Sequence, residues 1–469
     1  MAIKEFAVKQ VAKQLLPMVG RMSDKDLGKL LLLASKLAPN DFTRSFIDDI
    51  DKMRQKQHPT VELIRRVIRQ TSPHVRKRLI NSLLINEFMR GNVIREQLRN
   101  QGLAAPQVYL ISPTMRCNLR CVGCYAGSYS QKDDLEFEVM DRILAEGKDL
   151  GAFWVTILGG EPFIRQDMYE IYKRHNDIFF QVYTNGTLID KEAARKLAEL
   201  GNVLVNFSLE GFEEETDARR GKGTFQKIMQ GMDNLREMGV PFGFSSMVTR
   251  HNVDTIISDE FNDMLIEKGC LIGWHFLYIP VGSHPDTSLM PTAAQRELMR
   301  QRGAQRIRNE KPIFVIDFWN DAPYVGGCIA GGRNYFHINS HGDVEPCIFV
   351  HLAVDNIKEK SLKEVINSPY FRAIRARQPY SDNLLRPCMI IDHPHVLREL
   401  YAECKPYPTD GPACGLIAPP ICDVLDRYSG EVAKILDPVW EQEFAPRHFA
   451  PDKFGPGKVN GEKSLVKPA

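Results

Sequence analysis

Residues 106–128 read PQVYLISPTMRCNLRCVGCYAGS, a short run of β-forming residues that stops at a proline and leads into three cysteines. The alternation over Val108–Ser112 predicts a strand. Cys117, Cys121 and Cys124 follow as C-x3-C-x2-C, a spacing that lets one loop wrap a single inorganic group. Three thiolates hold three corners of a 4Fe–4S cube and leave one iron open. On spacing alone, a zinc ion completed by a distant Cys or His is the alternative.

Working outward, short β-rich runs alternate with helical ones. Strands are predicted at Val108–Ser112, Phe153–Leu158, Phe179–Tyr183, Val203–Leu209, Phe242–Val248 and Trp274–Ile279. Helices are predicted at 136–149, 167–176, 190–199, 224–238, 254–267 and 291–309. Strand–helix units in series imply an α/β fold with a parallel sheet, wound by right-handed crossovers into a full or partial barrel. In such folds the site lies at the C-terminal ends of the strands, where the three cysteines stand.

Before this core, residues 1–104 read as all-helical. Ile3, Ala7, Val11, Leu15 and Met18 recur at helical spacing, Ser23 is an N-cap candidate with Asp26 three residues on, and Thr60 precedes another helix. Residues 52–100 carry twelve Lys/Arg against three Glu, although the whole chain has a formal charge of only +2. A solvated helical face is the expected reading of that run, with anionic lipid or phosphate as the alternative and nucleic acid disfavoured. The opening helix is expected to pack within its own domain, with membrane-surface contact as the alternative.

The 469-residue chain has the composition of an ordinary globular protein, no run long enough to span a bilayer and no signal-peptide pattern. A cytoplasmic location is expected, where cysteines serve as ligands or catalysts more often than as disulfides. None of the ten cysteines precedes Cys117, Cys270 stands alone as a core candidate, and six lie between Cys328 and Cys422. That clustering predicts a second metal region.

The loop CNLRCVGC resembles the cluster loop of the radical S-adenosylmethionine (SAM) enzymes. Other segments at strand ends resemble the same family: GGEP (Gly159, Gly160, Glu161, Pro162), TNG (Thr184, Asn185, Gly186), SLEG with Ser208 and Glu210, and RRGKGTF at 219–225. The resemblance implies a partial (β/α)6 barrel whose open iron chelates the amino and carboxylate groups of SAM. GGEP would meet the methionine amine, with Glu161 accepting from it, and Ser208 and Glu210 would meet the ribose. One-electron reduction, from a donor such as flavodoxin or ferredoxin, then splits SAM into methionine and a 5′-deoxyadenosyl radical that abstracts hydrogen. The family usually has an aromatic residue before the third cysteine; here it is Gly123, and either Tyr125 takes over the packing near adenine or the adenine rests on backbone there.

Cys328, Gly342 and Cys347 fit C-x13-G-x4-C, and NYFHINSHGDVEPC resembles the hairpin opening the SPASM and twitch domains, which carry auxiliary iron–sulfur clusters. Cys388 is the expected third ligand. Cys404, Cys414, Cys422, Asp392 and His393 are the candidates for a fourth, or the iron stays open. An auxiliary cluster would accept an electron from a substrate radical or anchor the substrate. His275 and Tyr278 are read as satisfied core residues with cavity-facing as the alternative, and 318–323 as either cavity lining or a loop anchored by Trp319.

The domains expected are 1–104 helical, 105–310 barrel, 311–425 SPASM/twitch-like and 426–469 a tail. The implied function is radical chemistry on a small-molecule or lipid-like substrate. A peptide maturase of the SPASM type is the runner-up, and a non-catalytic iron–sulfur electron carrier is the rival from another class.

Overall fold

A computed structural model describes residues 19–20, 22–36 and 41–445, without the side chains of 41–43, 46 and 412–414. The expected strands form in order and pair in parallel: β1 (Val108–Ile111), β2 (Trp154–Ile157), β3 (Phe179–Thr184), β4 (Val203–Ser208), β5 (Phe242–Val248) and β6 (Ile272–Leu277). β6 begins two residues earlier than predicted, because it is paired on both sides. Beyond it lies β7 (Phe314–Asp317), which the sequence reading missed. At the other edge, β8 (His337–Ile338) runs parallel to β1 and turns through Gly342 (φ 92°) into β9 (Val344–Glu345). This is the expected hairpin, now an extension of the barrel sheet.

The two faces of the sheet differ. Outward side chains such as Val155, Phe180, Val182, Val205, Phe207 and Phe244 are completely buried beneath the crossover helices. Inward side chains, among them Tyr183, Leu204, Ser208, Met247, Phe276, Ile316 and Phe318, stay within reach of solvent. An open parallel barrel gives this pattern: helices pack the convex side, and the concave side encloses a cleft.

The N-terminal region is helical, with helices Asp24–Lys36, Asp41–Gln55 and Thr60–Gln70 followed by a continuous helical run over 73–100. Ser23 caps as expected, its Oγ accepting from the Asp26 N–H at 3.2 Å. Thr60 is instead the first residue of its helix. The opening helix predicted over Ile3–Met18 lies outside the described residues.

This region plugs the N-terminal rim of the barrel. Arg66 donates to the carbonyls of Ile266 (2.7 Å), Cys270 (3.1 Å) and Pro312. Glu87 accepts from the Phe153 N–H at 2.8 Å and pairs with buried Arg95 at 2.9 Å. Asn86 reaches the Asp177 carbonyl, His74 the Glu199 carbonyl, and the Gly239 carbonyl accepts from the Ser72 N–H. Each partner lies just before a strand. The basic run is therefore partly a set of buried staples and not simply a solvated face.

After β9 come the helices Pro394–Cys404 and Ile421–Val439. The second corrects the expected tail: it runs through residue 426 and buries Leu425, Tyr428, Val432 and Leu436. Its internal Pro438 and the prolines before it hid it from the sequence reading. Residues 446–469 lie outside the described set. Among the described residues, no helix is long and apolar enough to cross a membrane.

Candidate functional site

The C-x3-C-x2-C loop leaves the C-terminal end of β1, and donors surround its sulfurs. The Leu119 N–H and Asn185 Nδ2 donate to Cys117 Sγ at 3.4 and 3.7 Å, and Arg220 Nη1 lies 3.9 Å from Cys121 Sγ. Such donors stabilise thiolates, so the loop suits an iron–sulfur cluster. Without metal, burial pushes the Cys117 and Cys124 thiols up. Among the described residues, no three His, Cys, Asp or Glu side chains converge closely enough to hold one metal ion.

Gly159 and Gly160 let the loop after β2 press against the cysteine loop. A Cβ at Gly160 would stand 2.2 Å from the Arg116 carbonyl oxygen, and one at Gly159 2.5 Å from that of Thr114. The Gly160 and Glu161 N–H groups donate to those same carbonyls at 2.9 and 2.8 Å. The Glu161 carboxylate turns toward the end of β3, accepting from Thr184 Oγ1 (2.7 Å) and the backbone N–H groups of Asn185 (2.8 Å) and Phe163 (3.1 Å). Burial raises its pKa to about 6 against these hydrogen bonds. Pro162 is buried at the start of a short turn. Asn185 bridges to the cluster loop, donating to Asn118 Oδ1 at 2.8 Å.

Ser208 ends β4 with its hydroxyl 3.5 Å from that of Ser245. Glu210 is buried between Arg219 (2.6 Å) and Arg220 (2.8 Å) and also accepts from the Met247 N–H at 3.2 Å. Burial would raise its pKa, but the two guanidiniums bring the net shift below the usual carboxylate range. The carboxylate is thus already engaged by both guanidiniums.

The absent aromatic before Cys124 has a structural reason. Gly123 has φ 65°, and a Cβ there would lie 2.7 Å from the Tyr278 ring. Tyr278, from the end of β6, fills the space beside Gly123, its hydroxyl accepting from the Asp286 N–H at 3.0 Å. Tyr125 faces the other way, toward Gly159 and Phe349. His275 lies on the convex side against Phe244, completely buried, with neither ring nitrogen partnered. It is neither cavity-facing nor satisfied. Phe318 packs against Phe276 on the concave face, and buried Trp319 anchors the following loop.

Cys328 lies within electrostatic reach of both Cys347 and Cys388, and all three surround Tyr335, whose hydroxyl is 3.0 Å from Cys347 Sγ. Burial pushes the Cys347 thiol up to about 12. Cys404 sits among Glu403 and Arg377, and Cys422 beside Asp423. Cys404 and Cys347 both act on the buried Tyr370 ring. Asp392 is engaged by buried Arg296 and by the Cys388 N–H (3.0 Å), and His393 by the Arg386 carbonyl (2.8 Å). The Cys414 side chain lies outside the described residues.

The two cysteine loops meet where Tyr125, next to Cys124, packs against Phe349, two residues after Cys347. Buried polar links that the sequence reading did not single out hold them together. Glu345, two residues before Cys347, accepts from Tyr129 (2.7 Å) and meets His337 Nδ1 (2.6 Å), whose Nε2 meets Ser112 Oγ (2.7 Å). Asp410 binds His351 Nδ1 at 2.6 Å and accepts from Ser128. The available signal was the run of polar residues at every second position of the hairpin: His337, Asn339, Asp343 and Glu345.

Comparison with known proteins agrees with this architecture. The Radical SAM superfamily model matches residues 111–259, and the SPASM iron–sulfur cluster-binding domain matches 328–389. The Fe-coproporphyrin III synthase of Methanosarcina barkeri is 35% identical over 229 residues, 45% of this chain and 56% of that protein. The mycofactocin maturase MftC of Mycobacterium ulcerans is 32% identical over 296 residues, 59% of this chain and 79% of that protein. The chain thus spans little more than half of one relative and about four-fifths of the other. Streptococcus suis SuiB bound to S-adenosylmethionine superposes with a TM-score of 0.54 at 22% identity, over 62% of this chain and 74% of that one. With the motifs and the sheet in common, the chain belongs to the radical SAM superfamily as an enzyme with a SPASM iron–sulfur domain, whose cofactors are 4Fe–4S clusters and S-adenosylmethionine.

Proposed function

We propose that Cys117, Cys121 and Cys124 hold the SAM-binding cluster, that Cys328, Cys347 and Cys388 hold one auxiliary cluster, and that the enzyme oxidises a small-molecule or lipid-like substrate lying on the concave face. The supporting observation is that Tyr125, beside Cys124, packs against Phe349, two residues past Cys347, and that an aromatic wall runs from Phe276 through Phe318 to Tyr335 beside Cys347. When bound, the SAM-loaded cluster supplies a 5′-deoxyadenosyl radical. The chain's own groups do the rest. The backbone around Gly159 and Gly160 seats the methionine end, Ser208 and the Glu210–Arg219–Arg220 group border the ribose, and Tyr125 and Tyr278 wall off water. The Glu345 and Asp410 networks fix the distance between the two cluster loops. A one-electron donor such as flavodoxin or ferredoxin would supply the reducing electron.

A peptide substrate is the second reading, favoured by the similarity to the maturase MftC. The N-terminal helices weigh against it, because they close the base of the barrel instead of offering a strand edge to a peptide. The test is anaerobic reconstitution with dithionite and SAM, followed by fractions from cells grown in deuterated medium. Deuterium in 5′-deoxyadenosine from the organic-solvent extract supports this reading, and deuterium from the peptide fraction alone overturns it in favour of a maturase. No 5′-deoxyadenosine at all would sink both.

A further inference from the structure

From β3 to β7 the inward strand positions run Gln181 and Tyr183; Leu204, Asn206 and Ser208; Gly243, Ser245 and Met247; Ile272, Trp274 and Phe276; Phe314 and Ile316. None is charged. The rings form a connected wall, with Tyr183–Phe276 at 5.9 Å, Trp274–Phe318 at 5.6 Å, Phe276–Phe318 at 5.3 Å and Phe318–Tyr335 at 6.2 Å between centroids. The wall ends beside Cys347, through the Tyr335 hydroxyl.

Two polar groups on this face have no partner. Asn206 is completely buried, and neither its Oδ1 nor its Nδ2 is hydrogen-bonded. Trp274, 7% exposed, leaves its Nε1–H unpaired. Leaving buried polar atoms unsatisfied costs stability, and an apolar residue at position 206 would avoid that cost. The neighbouring position is glycine: a Cβ at Gly243 would stand 2.9 Å from Asn206 Oδ1. Asn206 presents one acceptor and two donor hydrogens, and Trp274 adds a third donor. A group inserted among these rings would satisfy them, as an ordered water would in its absence.

We infer that Asn206 and Trp274 form the head-group site for a neutral, largely apolar substrate whose polar end carries a donor and an acceptor side by side, as a carboxamide does. The guanidinium that reaches this face, Arg219 beside Met247, is already paired with Glu210, so a carboxylate or phosphate would enter without a free counterion. The inference rests on the concave face being the substrate face.

The test is equilibrium dialysis of decanamide and decanoate against the anaerobically reconstituted full chain. Wild type should hold decanamide about tenfold tighter than decanoate, the worth of one or two hydrogen bonds. Asn206→Leu should lose that preference and unfold at a higher temperature, because it removes the unsatisfied amide. Trp274→Phe, which keeps the ring, should weaken decanamide binding about threefold. Equal binding of the two probes by wild type, unaltered decanamide binding by Asn206→Leu, or a lower unfolding temperature for that variant would each overturn the inference. Release of 5′-deoxyadenosine is followed separately. Its absence, with the decanamide preference intact, would discredit the catalytic reading and leave the head-group site standing.

Discussion

Tyr125 and Phe349 meet edge to face with ring centroids 6.0 Å apart. Tyr125 directly follows Cys124, and Phe349 comes two residues after Cys347. The pair is thus a short covalent and van der Waals path between the two cysteine groups. Phe349→Ala removes a buried ring from this contact and should cost about 3 kcal/mol of stability. It should also alter the electron paramagnetic resonance spectrum of the SAM-binding cluster, although residue 349 belongs to the other domain. A spectrum identical to wild type with and without SAM would show that the contact does not couple the sites.

Iron content distinguishes the ligand sets. The reconstituted wild type should carry about eight irons per chain, four for each cube. Ala at Cys328, Cys347 or Cys388 should lower this to about four. Ala at Cys404 or Cys422 should leave it unchanged, because three thiolates suffice to hold a cube with one open iron. Loss of iron from Cys404→Ala would place that residue in a cluster after all.

Gly123 is confined twice, by φ 65° and by the Tyr278 ring 2.7 Å from where a Cβ would stand. The left-handed conformation costs a non-glycine residue about 1–2 kcal/mol, before any clash. Gly123→Ala should therefore slow 5′-deoxyadenosine release about tenfold or more. Adding Tyr278→Ala removes the clash but not the backbone strain, and should restore part of the rate. Comparing the single and double variants measures how the loss divides between the two.

His275 makes stability depend on pH in a defined direction. Burial lowers its pKa from 6.5 to about 3, so below pH 6.5 the unfolded chain binds a proton that the folded chain refuses. Its contribution is therefore nil at neutral pH. Stability then falls by about 1.4 kcal/mol per unit as pH drops from 6.5 toward 3. His275→Phe removes both the titration and two unpartnered nitrogens. It should be more stable than wild type at pH 7 by about 2 kcal/mol, with the gap widening as pH falls. Thermal unfolding at several pH values checks this, and a gap that narrows on acidification would contradict it.

Arg66 donates to three carbonyls that lie beyond a strand's reach at the base of the barrel. Arg66→Met keeps much of the stem volume and strands the Cys270 and Pro312 oxygens, while that of Ile266 keeps its bond from the Gly269 N–H. The expected loss is about 3 kcal/mol, read as a lowered unfolding temperature, with little change in SAM cleavage per folded molecule.

Sequence alone determined what depends on local spacing. Alternating strand and helix patterns set the parallel sheet, because period 2 and period 3.6 are written residue by residue. Cys117, Cys121 and Cys124 needed only one loop to be read as a unit, and Gly342 marked the hairpin turn through its backbone freedom. Tertiary structure decided what depends on residues far apart in the chain. It brought Cys388 to Cys328, put Tyr278 beside Gly123, and made Glu345 the hub joining Tyr129 to His337. It also chose the face of His275: β6 is apolar on both sides, so no alternation in Ile272–Leu277 says which side chains look into the cleft and which meet the helices.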